Sequence, residues 1–294
     1  MKSAYLKMHI AIFLWGFTGL LGKLISLNEG LLVWYRLMFS SIVIVLILMI
    51  RKSIPRIPIK QIIRIGGIGL IVMLHWVAFY GSIKLSSISV AMICLSAIAL
   101  FASILEPIIN RQRLDIIEVF LSILTIGGIS SIYFSDAGAG KGIIVGLFSS
   151  LCSAVFSVLN RRIATNYEPL TISFIELGAG FIALTAFLPL YLKFQPAISL
   201  LPTNSDVIYL IILSVVCTVL TWILSLQALR KVSAFTMALS LNLEPVYGII
   251  LAILFAGEAK IVNGRFIFGS VIILLTVIFH TIYRFRKQKK APID

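Results

Sequence analysis

Hydrophobic positions fill long blocks of this chain, and polar residues gather in short clusters between them. A helix needs roughly 20 apolar residues to cross a hydrocarbon core about 30 Å thick. On that measure the blocks predict ten membrane-spanning helices, at 5–27, 30–50, 62–84, 87–106, 115–134, 142–161, 169–192, 207–229, 233–255 and 264–284. The connections are short, as in Ser26-Leu-Asn-Glu-Gly, Ser135-Asp-Ala-Gly-Ala-Gly-Lys and Ala256-Gly-Glu-Ala-Lys, and leave no room for a soluble domain. The first block is long and lacks an Ala-x-Ala-like exit, so it is expected to stay as helix 1 and not to act as a cleaved signal.

Composition agrees with this pattern. The chain has 294 residues, is 60% hydrophobic and only 12% charged, and has a mean hydropathy of +1.09. A soluble surface of that size needs far more charge, so the expected fold class is an all-α integral membrane protein. The net charge of +14 would suit nucleic acid or an acidic partner, but its placement argues for topology instead. With the N-terminus inside, Arg51-Lys52, Arg161-Arg162, Arg230-Lys231 and the cluster from Arg284 to Lys290 are cytoplasmic. The outer ends keep only Lys23, Lys84, Lys141, Lys193, Lys260 and Arg265. This satisfies the positive-inside rule with both termini in the cytoplasm, as expected for a multi-pass protein of the cell membrane. Cys94, Cys152 and Cys217 fall in separate helices without CxxC spacing, so apolar filling is expected and a disulfide or metal framework is not.

One basic residue is left over. Arg36, in WYRLMFS, lies about 9 Å below the start of predicted helix 2 at 1.5 Å per residue. It can snorkel to the outer interface beside Trp34 and Tyr35. Alternatively it turns inward, to attract an anionic group such as a substrate carboxylate or to pair with Glu29 at the outer mouth. Predicted helix 9 carries Ser233, Thr236, Ser240, Glu244 and Tyr247 at spacings of three and four, which places them on one face. Predicted helices 4, 6 and 8 have comparable polar stripes. Small hydroxyl residues also serve close helix packing, so the case for an interior pathway rests on ionisable groups. Glu244 stands about eleven residues into its helix, between Asn242 and a proline, and is the acid best placed for proton coupling. Glu176, nearer the cytoplasmic interface, is a weaker candidate. In LHWVAFYGS, His75, Trp76 and Tyr80 suit either a cavity wall or an aromatic packing cluster. Trp15 and Trp222 also lie away from the interfaces where tryptophans usually gather, and only Trp34 sits like a belt residue.

Internal similarity divides the chain. SIKLSSI from Ser82 resembles ALRKVSA from Ala228, and each is followed by a helix dotted with hydroxyl residues. Two five-helix units follow, 1–138 and 139–294. Five is odd, so the second unit starts from the opposite side and the repeats are inverted, as in many secondary transporters. SDAGAGKG at 135–142 lacks the GxxxxGK[ST] spacing and a preceding strand, and reads as a tight outer turn.

FLWGFTG (13–19), the arginine of WYRLMFS (34–40), SIKLSSISVAM (82–92), ALRKVSAFTMALSLNLEPVYG (228–248) and AGEAK (256–260), taken in order and spacing, resemble the drug/metabolite transporter superfamily. The likeness is to its ten-helix proteins with two EamA-type repeats. The Glu244-Pro245 pair has no counterpart near Ala97-Ile98, so the halves need not move alike. The resemblance implies a secondary carrier of small metabolites, with export of amino acids or related compounds as the leading class. It also implies that helices 5 and 10 brace a cavity lined by helices 1–4 and 6–9, and that an arginine belongs in helix 2.

The sequence has no HExxH, no GxSxG and no nucleotide-binding domain, so neither an enzyme nor an ATP-driven pump is expected. No cofactor or metal is expected either. The expected partners are a small-molecule substrate and the lipid bilayer, without nucleic acid. A channel or a non-transporting scaffold is the competing class, but no filter-like motif or ring of like charges supports the first.

Overall fold

The computed structural model describes residues 2–52, 57–110, 116–133, 140–164, 166–193, 199–229, 240, 243–261 and 263–290. Among them every regular element is helical. In chain order these are α1 (Lys2–Leu24), α2 (Glu29–Ile50), α3 (Ile59–Leu85), α4 (Ile88–Leu95), α5 (Ile98–Asn110), α6 (Ile116–Tyr133), α7 (Gly140–Ala164), α8 (Pro169–Lys193), α9 (Asn204–Ser214), α10 (Thr221–Leu229), α11 (Leu243–Phe255) and α12 (Gly264–Lys290). Seven described segments are long and apolar enough to cross a membrane.

Many apolar side chains point outward although the core is also largely apolar. Ile116 is 85% exposed and Ile144 71%, whereas Ser40, Ser82, Ser89, Ser149, Ser214 and Thr218 are fully buried. An apolar surface around an interior that holds buried hydroxyls is stable only where lipid replaces water. In that setting each backbone end must be satisfied locally, and the chain does this with short polar caps. Asn28 Oδ1 accepts from Leu31 N at 2.8 Å to open α2, and Thr203 with Asp206 forms a capping box at the start of α9. Glu258, from the turn after α11, accepts from the backbone of Ile88 and Ser89 at 2.8 and 2.9 Å and so holds the start of α4 from a distant part of the chain.

Most predicted helix bounds match to within a few residues, with three corrections and one helix that is only partly described. The span at 87–106 is not one helix. Ser96 and Ala97 form a turn between α4 and α5, and Ser150 of α7 donates to the carbonyl of Cys94 at 2.7 Å just before it. A hydroxyl from a neighbouring helix thus satisfies a carbonyl beside the break, the condition under which broken helices persist in membranes. The span at 207–229 contains a π-helical stretch, Val215–Leu220, between α9 and α10. The helix expected from residue 233 is described only from Leu243, and Ser233 and Thr236 lie outside the described residues. The last helix runs on to Lys290, past its expected end.

The two halves of the chain interleave. α3 packs along α7 and α8, α1 along α10 and α11, and α2 along α8 and α9, while α6 and α12 pack on each other. Helix starts and ends alternate between two ends of the bundle. The end opposite the N-terminus is heavily bonded: Asp206 accepts from Ser26 N and Oγ at 2.7 and 2.6 Å, Lys84 donates to the Ile25 carbonyl, and Tyr191 donates to Glu29 at 2.8 Å. Two glycines set how near the helices come. A Cβ at Gly69 of α3 would run into the backbone of Glu176 of α8, and a Cβ at Gly22 of α1 would overlap the ring of Tyr80. Their absent side chains bring α3 into contact with both neighbours.

Candidate functional site

Arg36 turns inward. It is 3% exposed, and neither a snorkelling pose nor the Glu29 pairing is adopted, since the Glu29 carboxylate accepts instead from Tyr191. Three side chains from two elements converge on the guanidinium. Nε donates to Thr218 Oγ1 at 2.8 Å, Nη1 donates to Tyr80 Oη at 2.9 Å, and Cζ lies 3.8 Å from the centre of the Trp76 ring. Trp76 and Tyr80 are one turn apart on α3, so one helix face supplies both an aromatic platform and a hydroxyl.

Thr218 owes its place to the π-helical stretch. Its hydroxyl donates to the carbonyl of Leu213, five residues back, at 2.7 Å, which leaves its oxygen lone pairs for Arg36 Nε. Extra residues inserted in this way into a helix are common at functional sites, because they turn a side chain to a direction that regular helix would not allow. The backbone is tied at the same level. Ser214 Oγ donates to the Arg36 carbonyl at 3.2 Å and Ser40 Oγ to the Ser214 carbonyl at 3.4 Å, which joins α2 to α9.

This arrangement holds a permanent cation without a carboxylate in contact. Two hydroxyls and a ring face take up part of its hydrogen-bonding capacity, and among the described residues Nη2 has no hydrogen-bond partner. A planar guanidinium with donors to spare suits a carboxylate or phosphate. Glu244 lies within electrostatic range of Arg36 and Tyr80. It is half-buried in α11, which is described from Leu243.

The remaining residues singled out in the sequence separate into distinct roles. His75 is locked to α7: its Nδ1 lies 2.9 Å from both the hydroxyl and the carbonyl of Ser149, and Ser149 Oγ also donates to the His75 carbonyl at 3.0 Å. Its ring stacks on Phe79 and meets the edge of Phe156. Trp222 meets Trp76 edge-on at 6.1 Å between centroids and lies 6.0 Å from Phe156, so the aromatic platform under Arg36 continues onto α10. Tyr247 packs edge-on against Phe13, and its Cβ fills the space left by Gly16, which joins α11 to α1. Trp15 is half-buried on α1 and packs against a cluster of Ala4, Met8, Ile12 and Ala228 of α10, and Ser240 is buried. Asn242 lies outside the described residues.

The sequence reading undervalued Glu176. It is completely buried, and neither carboxylate oxygen has a hydrogen-bond partner among the described residues. A groove of about 210 Å³ between α4, α11 and α12, lined by Ile93, Val246, Ile249 and Phe266 among others, is apolar throughout and separate from both charges.

Two stretches of the chain, residues 2–134 and 140–284, each match the EamA-like transporter family. The chain belongs to that family. The first matched stretch reaches past α6 and the second begins with α7. The EamA-like protein is similar to a relative described as an uncharacterized transporter from Bacillus subtilis (strain 168), with 22% identity over 264 residues covering 87% of this chain and 83% of the relative. A solved crystal structure has the same fold, with a TM-score of 0.65 and 17% identity over 97% of this chain and 99% of that one. The EamA-like chain is thus a multi-pass membrane protein of a transporter family, with the bilayer as its solvent.

Proposed function

We propose that this protein is a secondary carrier that exports small metabolites, amino acids or related carboxylates foremost, by alternating access. On this reading ten transmembrane helices form two inverted five-helix repeats, 1–138 and 139–294, in the cell membrane with both termini in the cytoplasm. Arg36 carries the proposal. A permanent charge deep in the bundle, with donor capacity left over and no carboxylate against it, is suited to an anionic group that comes and goes. Trp76, Tyr80 and Thr218 orient the guanidinium. Glu244, within its electrostatic range, would compete with substrate for the same charge and is the proposed site of proton exchange.

The bonded ring at the end opposite the N-terminus fits a carrier closed to the outside. Asp206 and Glu258 tie helix ends from both halves together there, Lys84 adds a bond within the first half, and reopening requires breaking the contacts between halves. Counterflow in proteoliposomes across amino acids, nucleosides and sugars tests the reading. A carrier gives saturable exchange of one chemical class, lost in Arg36→Ala, whereas a channel gives none and an enzyme alters the compound. If Glu244→Gln kept full uptake under an imposed pH gradient, its coupling role would be wrong.

A further inference from the structure

Arg36 and Glu176 occupy matching places in the two repeats. Each stands seven residues beyond the start of the second long helix of its repeat, Glu29 to Arg36 in α2 and Pro169 to Glu176 in α8. The two helices run in opposite directions, so each charge lies about 10 Å from its own end of the bundle at 1.5 Å per residue. Their tryptophans match as well: Trp76 and Trp222 each stand six residues before the similar segments that begin at Ser82 and Ala228. These two rings meet edge-on. Arg36 lies over the first, and Glu176 has the second beside it, together with Asn160 of α7. The contact between the two repeats thus runs from a cation, through two tryptophans, to an acid.

Four buried atoms at the acid's end lack hydrogen-bond partners: both Glu176 oxygens, Asn160 Oδ1 and Trp222 Nε1. One proton would complete them. A neutral carboxyl donates its O–H to Asn160 Oδ1 and accepts from Trp222 Nε1–H on its other oxygen. When the acid is ionised, the Asn160 amide can turn its Nδ2 toward the carboxylate instead, so the same neighbours serve both states. A larger cation has no room, since Glu176 is fully enclosed.

We propose that Glu176, with Asn160 and Trp222, is a proton-binding site in the half of the bundle opposite Arg36. The charged and titratable groups on the packed helices are Glu29, Tyr35 and Arg36 on α2, Lys60, Arg64, His75, Tyr80 and Lys84 on α3, Lys141, Cys152, Arg161 and Arg162 on α7, and Glu168 beside Tyr191 and Lys193 at the ends of α8, with none on α10. Among the described residues, Asn160 and Trp222 are the polar side chains beside Glu176. The proton arrives from water at the N-terminal end, rests on the carboxylate, and leaves as a proton. Its arrival removes the negative charge from the acceptor beside Trp222 Nε1–H and so bears on Trp76 and Arg36. The use of this proton in transport rests on the carrier reading, whereas its binding does not.

Reconstituted full-length protein can be titrated between about pH 5 and 9 while infrared absorption follows protonated carboxyls and tryptophan fluorescence follows Trp222. A carboxyl band that titrates together with the fluorescence is expected in the wild type and in Glu244→Gln. Glu176→Gln should lose both, Trp222→Phe should keep the band and lose the fluorescence change, and Glu176→Asp should shift the midpoint. Should Glu176→Gln fail to fold, an unshifted midpoint in Glu176→Asp overturns the proposal, as does an unchanged titration in a folded Glu176→Gln. Neither readout needs a substrate, so a failed counterflow screen would count against the carrier reading alone.

Discussion

Arg36 and Glu176 sit at equivalent positions of two repeats, yet their surroundings differ. Arg36 has a hydroxyl from α10's side of the bundle, a hydroxyl from α3 and an aromatic face, supplied by a π-helical turn and a glycine that admits Tyr80. Glu176 has neighbours but no completed hydrogen bond among the described residues. Their chemistry accounts for the contrast. An arginine cannot shed its proton inside a protein, so its charge must be met by fixed partners in every state. A glutamate can become neutral, so a site may leave it without a countercharge and let a proton do that work. A repeat duplicated and inverted can therefore carry a permanent charge in one half and a switchable one in the other.

The comparison can be broken most strongly at Arg36. Arg36→Ala is expected to lower saturable counterflow by at least about a hundredfold, and Arg36→Lys by at least about tenfold, because an ammonium cannot stack on Trp76 while reaching both Thr218 and Tyr80. Retention of wild-type counterflow by Arg36→Lys would reduce the site to a point charge. Gly69→Val strikes both sites, since it forces α3 away from the Glu176 backbone. It is expected to destabilise the fold by about 3 kcal/mol, seen as a lowered unfolding midpoint in detergent. Trp76→Ala removes the ring under the guanidinium and the link to Trp222, a loss of about 2 kcal/mol readable as weaker substrate affinity. The smallest effect is expected at Thr218→Val, which keeps the shape and deletes one bond to a charged donor, for about 1.5 kcal/mol. An affinity equal to wild type in this last variant would show that the π-helical turn does not serve Arg36.

Hydropathy made most of the helices legible because a membrane span is long and one-sided in its demands. It missed the turn at Ser96 and Ala97, since both residues are compatible with an apolar run and the turn depends on Ser150 from α7. Trp76, Tyr80 and His75 were recognisable as possible wall residues because they are aromatic rings with polar tips at mid-span. That His75 is tied up by Ser149 was not readable, because the bond joins residues 75 and 149 across two helices. Glu176 was passed over for its depth alone, although its place in α8 repeats that of Arg36 in α2.

What the sequence determined by itself is the solvent and the repeat. Long apolar blocks allow no alternative to helices in lipid, and their similarity within one chain is visible without coordinates. Tertiary structure decided where the charges point. The direction of Arg36 follows from Tyr80, Thr218 and Trp76, which arrive on other helices. The enclosure of Glu176 follows from the close approach of α3 at Gly69 and of the helices bearing Asn160 and Trp222. A helix face acquires its orientation only when neighbouring helices cover it, and those neighbours come from the opposite half of the chain.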